Sequence, residues 1–376
     1  MKRIGAVLLV LLIILGGSLS VVADNLDTVY HDQLEASGAN RLFNVLPQET
    51  QELLSSLGIT DFDVESYTAL QPTNFMNTLL SAFSQQIGGA FALCGVLLGA
   101  VLLGAFAESL RHTADSGQTA LLMGKLGSVA VSVSIILPIG ACFKQVAITT
   151  ENVRVMMFSY IPTYAAVIFA SGHPTLAASY STVVLAGAEC TAALVTQTAL
   201  PLVMLSLAFA TVGTLSEQDR LASLSSAFSK TAMWILGTTT ALFTGLLSMQ
   251  SFVSAASDSL SLRAAKMTIG NFVPIVGGAL SEAFGTVTGC VQLLRSTLGM
   301  FGVVVTLVMV LPAFLRCLSW SIALWVCRMA SDVLGVRLIA DVLGRVGVVV
   351  KVLMGILAAC ALFLIITTTV VTVAGR

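Results

Sequence analysis

The chain has 376 residues, of which 56% are hydrophobic and only 10% are charged. A soluble domain carries about 25% charged residues. With a mean hydropathy of +0.95, this chain is therefore predicted to lie in a lipid bilayer. The 18 Lys and Arg residues against 19 Asp and Glu residues give no excess of positive charge, and this argues against nucleic-acid binding, which needs a basic patch.

The amino terminus has the pattern of a secretory signal peptide. Lys2 and Arg3 are followed by an apolar run over residues 4–15 and by small residues up to Ala23. We expect residues 1–23 to be cleaved off. An uncleaved anchor is the alternative, since the apolar run is of borderline length for a membrane span. Either way, the chain that follows begins outside the cytoplasm.

Residues 24–72 form the one extended polar stretch and are predicted to be an extracytoplasmic helical segment. Pro47 and the acidic Glu49 mark the start of a helix over residues 48–54, and Gly58 marks its end. A segment this short suits docking on a partner or on the membrane surface better than catalysis. Residues 73–86 then have the spacing of an amphipathic helix that lies in the membrane interface.

Residues 87–376 are predicted to form a polytopic membrane domain. Because lipid offers no hydrogen bonds to the backbone, its apolar stretches are helices, and about eight of them are expected to be membrane helices. The apolar stretches cover 87–107, 122–143, 155–171, 176–213, 228–250, 268–291, 297–318, 319–335 and 348–373. The stretch 176–213 is too long for one crossing, so two elements with a break near Pro201 are expected there.

Two segments place proline and glycine inside apolar stretches and are predicted to be broken or re-entrant helices. The first contains Pro162, Gly172 and Pro174. The candidate functional motif is the second, with Asn271, Phe272, Pro274, Gly277, Gly278, Ser281 and Glu282. Broken helices in two halves of a chain indicate a functional centre in transporters, whereas an ordinary proline kink or a loop between short helices is the alternative.

Ionisable residues inside apolar stretches are costly and are therefore candidates for function. Glu189 is the intramembrane carboxylate of most interest. A pathway-lining role and a structural ion pair are both open for it, as they are for Glu282. The basic residues Lys125, Lys230, Arg295 and Arg316 lie nearer the ends of their stretches and are expected to reach the interface. The densest basic cluster, Arg328, Arg337, Arg345 and Lys351, predicts a cytoplasmic segment before the last span.

Motifs for the common catalytic and cofactor sites are absent from the sequence. It contains no P-loop, no H-E-x-x-H and no G-x-S-x-G. Its three histidines are far apart, and its seven cysteines have no zinc-type spacing and are expected to pack as small apolar residues. We expect no enzyme activity, no cofactor and no metal, although a membrane enzyme built from sparse residues stays an alternative.

The stretch from Phe272 to Ser281, F-V-P-I-V-G-G-A-L-S, resembles the signature of the stage III sporulation protein AE family. The similarity continues through Glu282, Thr286 and Gly289 to Leu293-Leu294. It also includes residues 33–39, 46–50, the Ile161-Pro162 and Ser171-Gly172 pairs and the signal peptide, so it covers nearly the whole chain. Glu282 stands where Asp is expected and Ile275 where Val is expected, and neither departure changes the charge.

The resemblance implies a multi-pass protein of the mother-cell-derived membrane around the forespore. It implies a subunit of a secretion-like channel between the mother cell and the forespore, with no catalytic residues of its own. The implied partners are other stage III sporulation proteins, including a separate ATPase and ring-forming subunits, and the forespore's stage II sporulation protein Q. Homo-oligomerisation is open. The alternative function is a self-sufficient secondary transporter that uses the broken helices around Pro162 and Pro274.

Overall fold

The computed structural model describes residues 34–35 and 37–59, part of 81–106, and residues 117–213, 219–272 and 277–374. The predicted signal peptide, the end of the polar segment and most of the predicted interfacial helix lie outside these residues. Every element in the described part is a helix.

The polar amino-terminal segment forms two short helices. A 3₁₀ turn at Ala39–Arg41 leads into α1 (Leu42–Val45), and α2 spans Gln48–Ser56. Pro47 precedes α2, and Gly58 follows it with a φ of 82°. The predicted helix start and end are therefore confirmed.

Long apolar helices make up the rest of the fold. They are α3 (Cys94–Phe106), α4 (Gly117–Ala170), α5 (Pro174–Leu194), α6 (Leu200–Val212), α7 (Asp219–Phe272), α8 (Gly277–Val333) and α9 (Arg337–Ala374). Among the described residues, five stretches are long and apolar enough to span a membrane: Gly127–Ala170, Pro174–Val212, Ser223–Ser261, Val291–Val333 and Arg337–Val370. The chain is thus a helical membrane protein.

Several predicted helix breaks are absent, because neighbouring predicted spans join into one helix. Helix α4 includes both predicted spans 122–143 and 155–171 and runs through Pro138 and Pro162 without ending. Helix α8 likewise joins 297–318 to 319–335 and contains Pro312. A proline removes one backbone hydrogen bond, and packing against neighbouring helices compensates for it inside a membrane bundle. The prediction of a break at Pro162 is therefore wrong.

The predicted break near Pro201 is a π-helical turn over Val195–Ala199. Pro201 is the second residue of α6 and has no N–H to donate into the preceding turn. The wider turn accommodates that missing hydrogen bond, so α5 and α6 together span one stretch instead of forming two separate crossings.

The five candidate spans run alternately in opposite directions, and α9 lies in the centre. It packs against α4, α6, α7 and α8, and its inner face is buried, as Leu353, Ile356 and Leu357 show. We call the end of the bundle with the α4–α5 turn the tyrosine end, because Tyr160, Tyr164 and Tyr180 are buried near it. The opposite end, where α8 meets α9, is called the basic end.

The amino-terminal segment packs near the tyrosine end. The ring of Phe43 in α1 lies 5.2 Å from that of Phe301 in α8, and α2 also contacts α8. Leu42 and Leu54 are buried in the same core. The segment is therefore attached to the membrane bundle by apolar packing.

Candidate functional site

The turn between α4 and α5 is built on Gly172 and Pro174. Gly172 has a φ of 87°, which a residue with a side chain rarely adopts, and it allows the amide of His173 to donate a 3.3 Å hydrogen bond to the carbonyl of Ile168. Pro174 is the first residue of α5, where its fixed φ favours a helix start. The predicted helix end at Gly172 and Pro174 is thus present.

Asp258 of α7 caps the start of α5 from a neighbouring helix. Its carboxylate accepts hydrogen bonds from the amides of Thr175 (3.2 Å) and Leu176 (2.9 Å) and from the Thr175 hydroxyl (2.6 Å). The first amides of a helix have no partner within the helix, and their partial positive charge favours an anion. Asp258 is only 3% exposed, so this cap joins α5 to α7 in a buried site.

His173 lies beside this cap, with Nδ1 4.0 Å from an Asp258 oxygen. Burial lowers the pKa of His173, the charge of nearby Arg295 lowers it further, and Asp258 acts in the opposite direction. The imidazole is therefore neutral at pH 7, and its contact with Asp258 is not an ion pair.

Three tyrosines of α4 and α5 pack in a row near the same end of the bundle. The rings of Tyr160 and Tyr164 stack at 5.4 Å, and Tyr180 meets Tyr164 edge-on at 5.4 Å. The Tyr160 hydroxyl donates to the carbonyl of Leu298 at 2.9 Å. Gly302 makes room for Tyr160, since a Cβ at this position would lie 2.6 Å from the hydroxyl oxygen. The close packing of α4 on α8 thus depends on a glycine.

Glu189 lies in an ion-pair cluster on the outer surface of α4 and α5. Arg154 bonds Glu189 at 3.0 Å and Glu151 at 2.8 Å. The Arg154 side chain is 33% exposed and the two carboxylates are about half exposed, at 49% and 50%. Its guanidinium also lies 5.5 Å from the centre of the Phe158 ring. The cluster has a net charge of −1 on an otherwise apolar surface.

A small cleft opens beside Arg154, between α4, α5 and α9. It is lined by Thr150, Thr191, Cys360 and Phe363, and the space in and above it, open solvent included, is only about 270 Å³. The Thr191 hydroxyl is buried and makes no hydrogen bond within the described structure. In this part of the chain, no three His, Cys, Asp or Glu side chains meet as a metal site would require. The cleft is too small to hold a drug-sized molecule.

The structure describes only part of the second predicted site, the candidate functional motif from Asn271 to Glu282. Helix α7 ends at Phe272 and α8 begins at Gly277, so a helix boundary coincides with the predicted motif. Pro274 lies outside the described residues, and so do the side chains of the other motif members, Asn271, Phe272, Gly277, Gly278, Ser281 and Glu282. Gly172 and Pro174 lie in the turn between α4 and α5, whereas Pro162 lies within α4.

Sequence reasoning missed Asp258 and the partners of Glu189. Asp258 stands in a serine-rich stretch without a motif, and its cap on α5 joins residues about 80 positions apart. The pairing of Glu151 with Arg154 has a local signal, since acidic and basic residues three positions apart share a helix face. That signal could have indicated a partly neutralised cluster near Glu189.

Comparison with known proteins places the chain in a family. A family model described as stage III sporulation protein AE matches residues 61–375. Stage III sporulation protein AE of Bacillus subtilis (strain 168) is 25% identical over 399 aligned residues, which cover 100% of this chain and 98% of that protein. No solved structure matches the chain. Since the family model matches more than half of its length, this chain belongs to the stage III sporulation protein AE family.

Proposed function

We propose that this protein is a membrane subunit of the secretion-like channel complex between mother cell and forespore that endospore development needs. Membership of the family supports the role in sporulation. The proposed partners are other stage III sporulation proteins, including a separate ATPase and ring-forming subunits, and stage II sporulation protein Q. The proposed location is the mother-cell-derived membrane around the forespore.

The position of α9 is the observation that favours a subunit over a self-sufficient pore. This helix fills the axis of the bundle, where a pore through one chain would need open space. Val346, Leu353 and Leu357 are each completely buried there. Interiors packed in this way leave no room for a passing solute. A path for solute would therefore run between this chain and other subunits.

The Glu151–Arg154–Glu189 cluster supports the same proposal. Half-exposed charges on a surface of apolar side chains are costly if lipid covers them. Contact with another subunit or with a water-filled path would avoid that cost. Glu189 faces outward on the bundle, whereas a coupling site of a transporter is expected near its interior. The alternative of a self-sufficient transporter is therefore less well supported.

The first experiment is genetic. We expect deletion of the gene in its endospore-forming host to abolish heat-resistant spores and to stop a small fluorescent solute from passing between mother cell and engulfed forespore. Complementation with the unchanged gene should restore both. Normal passage after deletion would contradict a channel role, even if spore formation still failed.

The second experiment separates the subunit from the transporter. Purified protein in liposomes should show neither conductance nor solute uptake by itself, and conductance should require the partner proteins. Uptake by the purified chain alone, lost in Glu189→Gln, would contradict the subunit proposal and favour a transporter.

A further inference from the structure

The apolar helices of this protein are much longer than a bilayer is thick. The candidate span Gly127–Ala170 has 44 residues, and Arg337–Val370 has 34. At 1.5 Å per residue these helices are about 66 Å and about 51 Å long, whereas the hydrocarbon core is about 30 Å thick. One bilayer can therefore surround only about half of the bundle, and the other half must lie outside it.

Four basic side chains lie at one height around the bundle, on four different helices. They are Lys144 (α4), Lys230 (α7), Arg316 (α8) and Lys351 (α9), and we call them the cation girdle. The three lysines are exposed and Arg316 is partly exposed. None of the four forms an ion pair with a described residue.

Contacts between the helices establish this common height. The Cys142 thiol in α4 lies beside that of Cys317 in α8, which places Lys144 and Arg316 within about one turn of each other. Between α7 and α9, a Cβ on Gly355 would lie 2.7 Å from the sulfur of Met233. Lys230 is three residues before Met233 and Lys351 is four residues before Gly355, in helices that run in the same direction.

On the side of the girdle toward the tyrosine end, every long helix has a stretch without a charged residue. These stretches are 155–170, 174–188, 231–257, 296–315 and 352–374. The buried Arg295 and Thr372 lie at the tyrosine end. The distance along the helix is about 32 Å both from Arg316 to Arg295 and from Lys351 to Thr372. This distance matches the thickness of one hydrocarbon core.

On the other side of the girdle, charges are frequent on α8 and α9. Between the girdle and the basic end, α8 and α9 contain Arg328, Asp332, Arg337, Asp341 and Arg345 within about 21 Å. Trp234 supports the same boundary: it is 71% exposed and stands one turn from Lys230 toward the tyrosine end. Exposed tryptophan next to lysine or arginine is typical of the membrane–water interface.

We propose that the cation girdle binds the phosphates of anionic lipid headgroups in one leaflet, so that lipid tails surround only the section between the girdle and the tyrosine end. The basic half of the bundle then projects from the membrane, on the cytoplasmic side by the distribution of its Arg and Lys residues. Its exposed apolar side chains, such as Leu137 and Val333, then lie outside the lipid tails. The inference does not depend on the channel role.

The Arg154 cluster is the exception within this section, because another subunit or a water-filled path, and not lipid tails, covers it in the proposed complex. It lies about 15 Å from the girdle, ten residues beyond Lys144 along α4. Its guanidinium pairs with both carboxylates, which reduces the cost of placing three charges there.

The first test uses two exposed tryptophans as depth probes. The variant W320F/W325F keeps only Trp234, and the variant W234F/W320F keeps only Trp325. Trp325 is 59% exposed and lies on the basic side of the girdle. The full chain is reconstituted in vesicles whose lipid tails carry bromine, which quenches nearby tryptophan. We expect Trp234 to be quenched several-fold more strongly than Trp325. Equal or stronger quenching of Trp325 would overturn the proposal, because tails would then reach the basic half.

The second test addresses the headgroups. The protein is reconstituted in vesicles of phosphatidylcholine with spin-labelled phosphatidylglycerol, and its preference for the anionic lipid is measured. The variant K230Q/K351Q removes two girdle lysines. We expect the preference to fall about fivefold for each lysine removed. The matched control R220Q/R337Q removes two exposed charges from the same helices near the basic end and should leave the preference unchanged. An unchanged preference in the girdle variant, or an equal loss in the control, would overturn the inference.

Discussion

Asp258 is the side chain whose replacement has the most direct consequence for the bundle. In Asp258→Asn, a neutral amide replaces a carboxylate that accepts three hydrogen bonds at 2.6, 2.9 and 3.2 Å. The new side chain keeps one acceptor oxygen, and its NH₂ group faces donors. Of the two oxygens that cap α5 from α7, only one therefore still accepts hydrogen bonds.

The expected loss follows from the donors that remain. The Thr175 hydroxyl already lies 3.1 Å from the carbonyl of Ser254 and can donate there instead. One of the two amides loses its acceptor, at about 1–3 kcal/mol for a buried donor. Loss of the negative charge at the helix start adds about 1 kcal/mol. We expect Asp258→Asn to lower the free energy of unfolding by about 2–4 kcal/mol.

The assay is reversible unfolding of the purified chain in mixed micelles with increasing sodium dodecyl sulfate, followed by circular dichroism. The matched control is Asp332→Asn, because Asp332 is 58% exposed and lies 3.9 Å from Arg328. An exposed pair of this kind contributes about 1 kcal/mol or less. If Asp258→Asn were as stable as the control, the capping argument would be refuted.

Three further substitutions test other parts of the structure. Gly302→Ala should destabilise the protein by about 1–3 kcal/mol, because the new methyl group meets the Tyr160 side chain at 2.6–2.7 Å. Glu189→Gln should change the free energy of unfolding by less than about 1 kcal/mol, since its ion pair is half exposed. His173→Asn should make stability less sensitive to pH between 7 and 5. Burial and Arg295 lower the pKa of His173 in the folded protein. The unfolded chain therefore binds the proton more tightly than the folded protein does. As a result, the native protein loses stability as pH falls through the pKa of the unfolded chain, about 6.5.

The same unfolding assay provides a control for the first prediction and a contradicting result for the other two. Gly237→Ala, where the added methyl group meets nothing within 4 Å, should be neutral or stabilising. A large loss in Glu189→Gln would show that its ion pair is structural. A pH dependence unchanged in His173→Asn would mean that another group is responsible for the dependence.

Local signals in the sequence predicted the elements that local forces control. The high apolar content led to an all-helical membrane protein, and residues that start or end helices placed α2 and the boundary at Gly172 and Pro174. These predictions succeed because a cap, a turn glycine or a proline at a helix start acts on its own few neighbours.

Predictions about the length of the helices failed for the opposite reason. Pro162 ends a helix only if nothing compensates for the missing hydrogen bond, and here α4 continues through it. The sequence shows the proline but not the packing around it. In the described part of the chain, neighbouring predicted spans therefore join into longer helices.

The partners of the polar side chains were decided by the tertiary structure alone. The sequence identified Glu189 as a costly charge, but Arg154 became its partner only when α4 packed on α5. Asp258 acts on α5 from α7. The cation girdle exists only because four packed helices bring residues that are distant in the sequence to one height. Composition and local patterns determine that this chain enters a membrane as helices, whereas contacts between residues far apart in the chain determine where its charges meet.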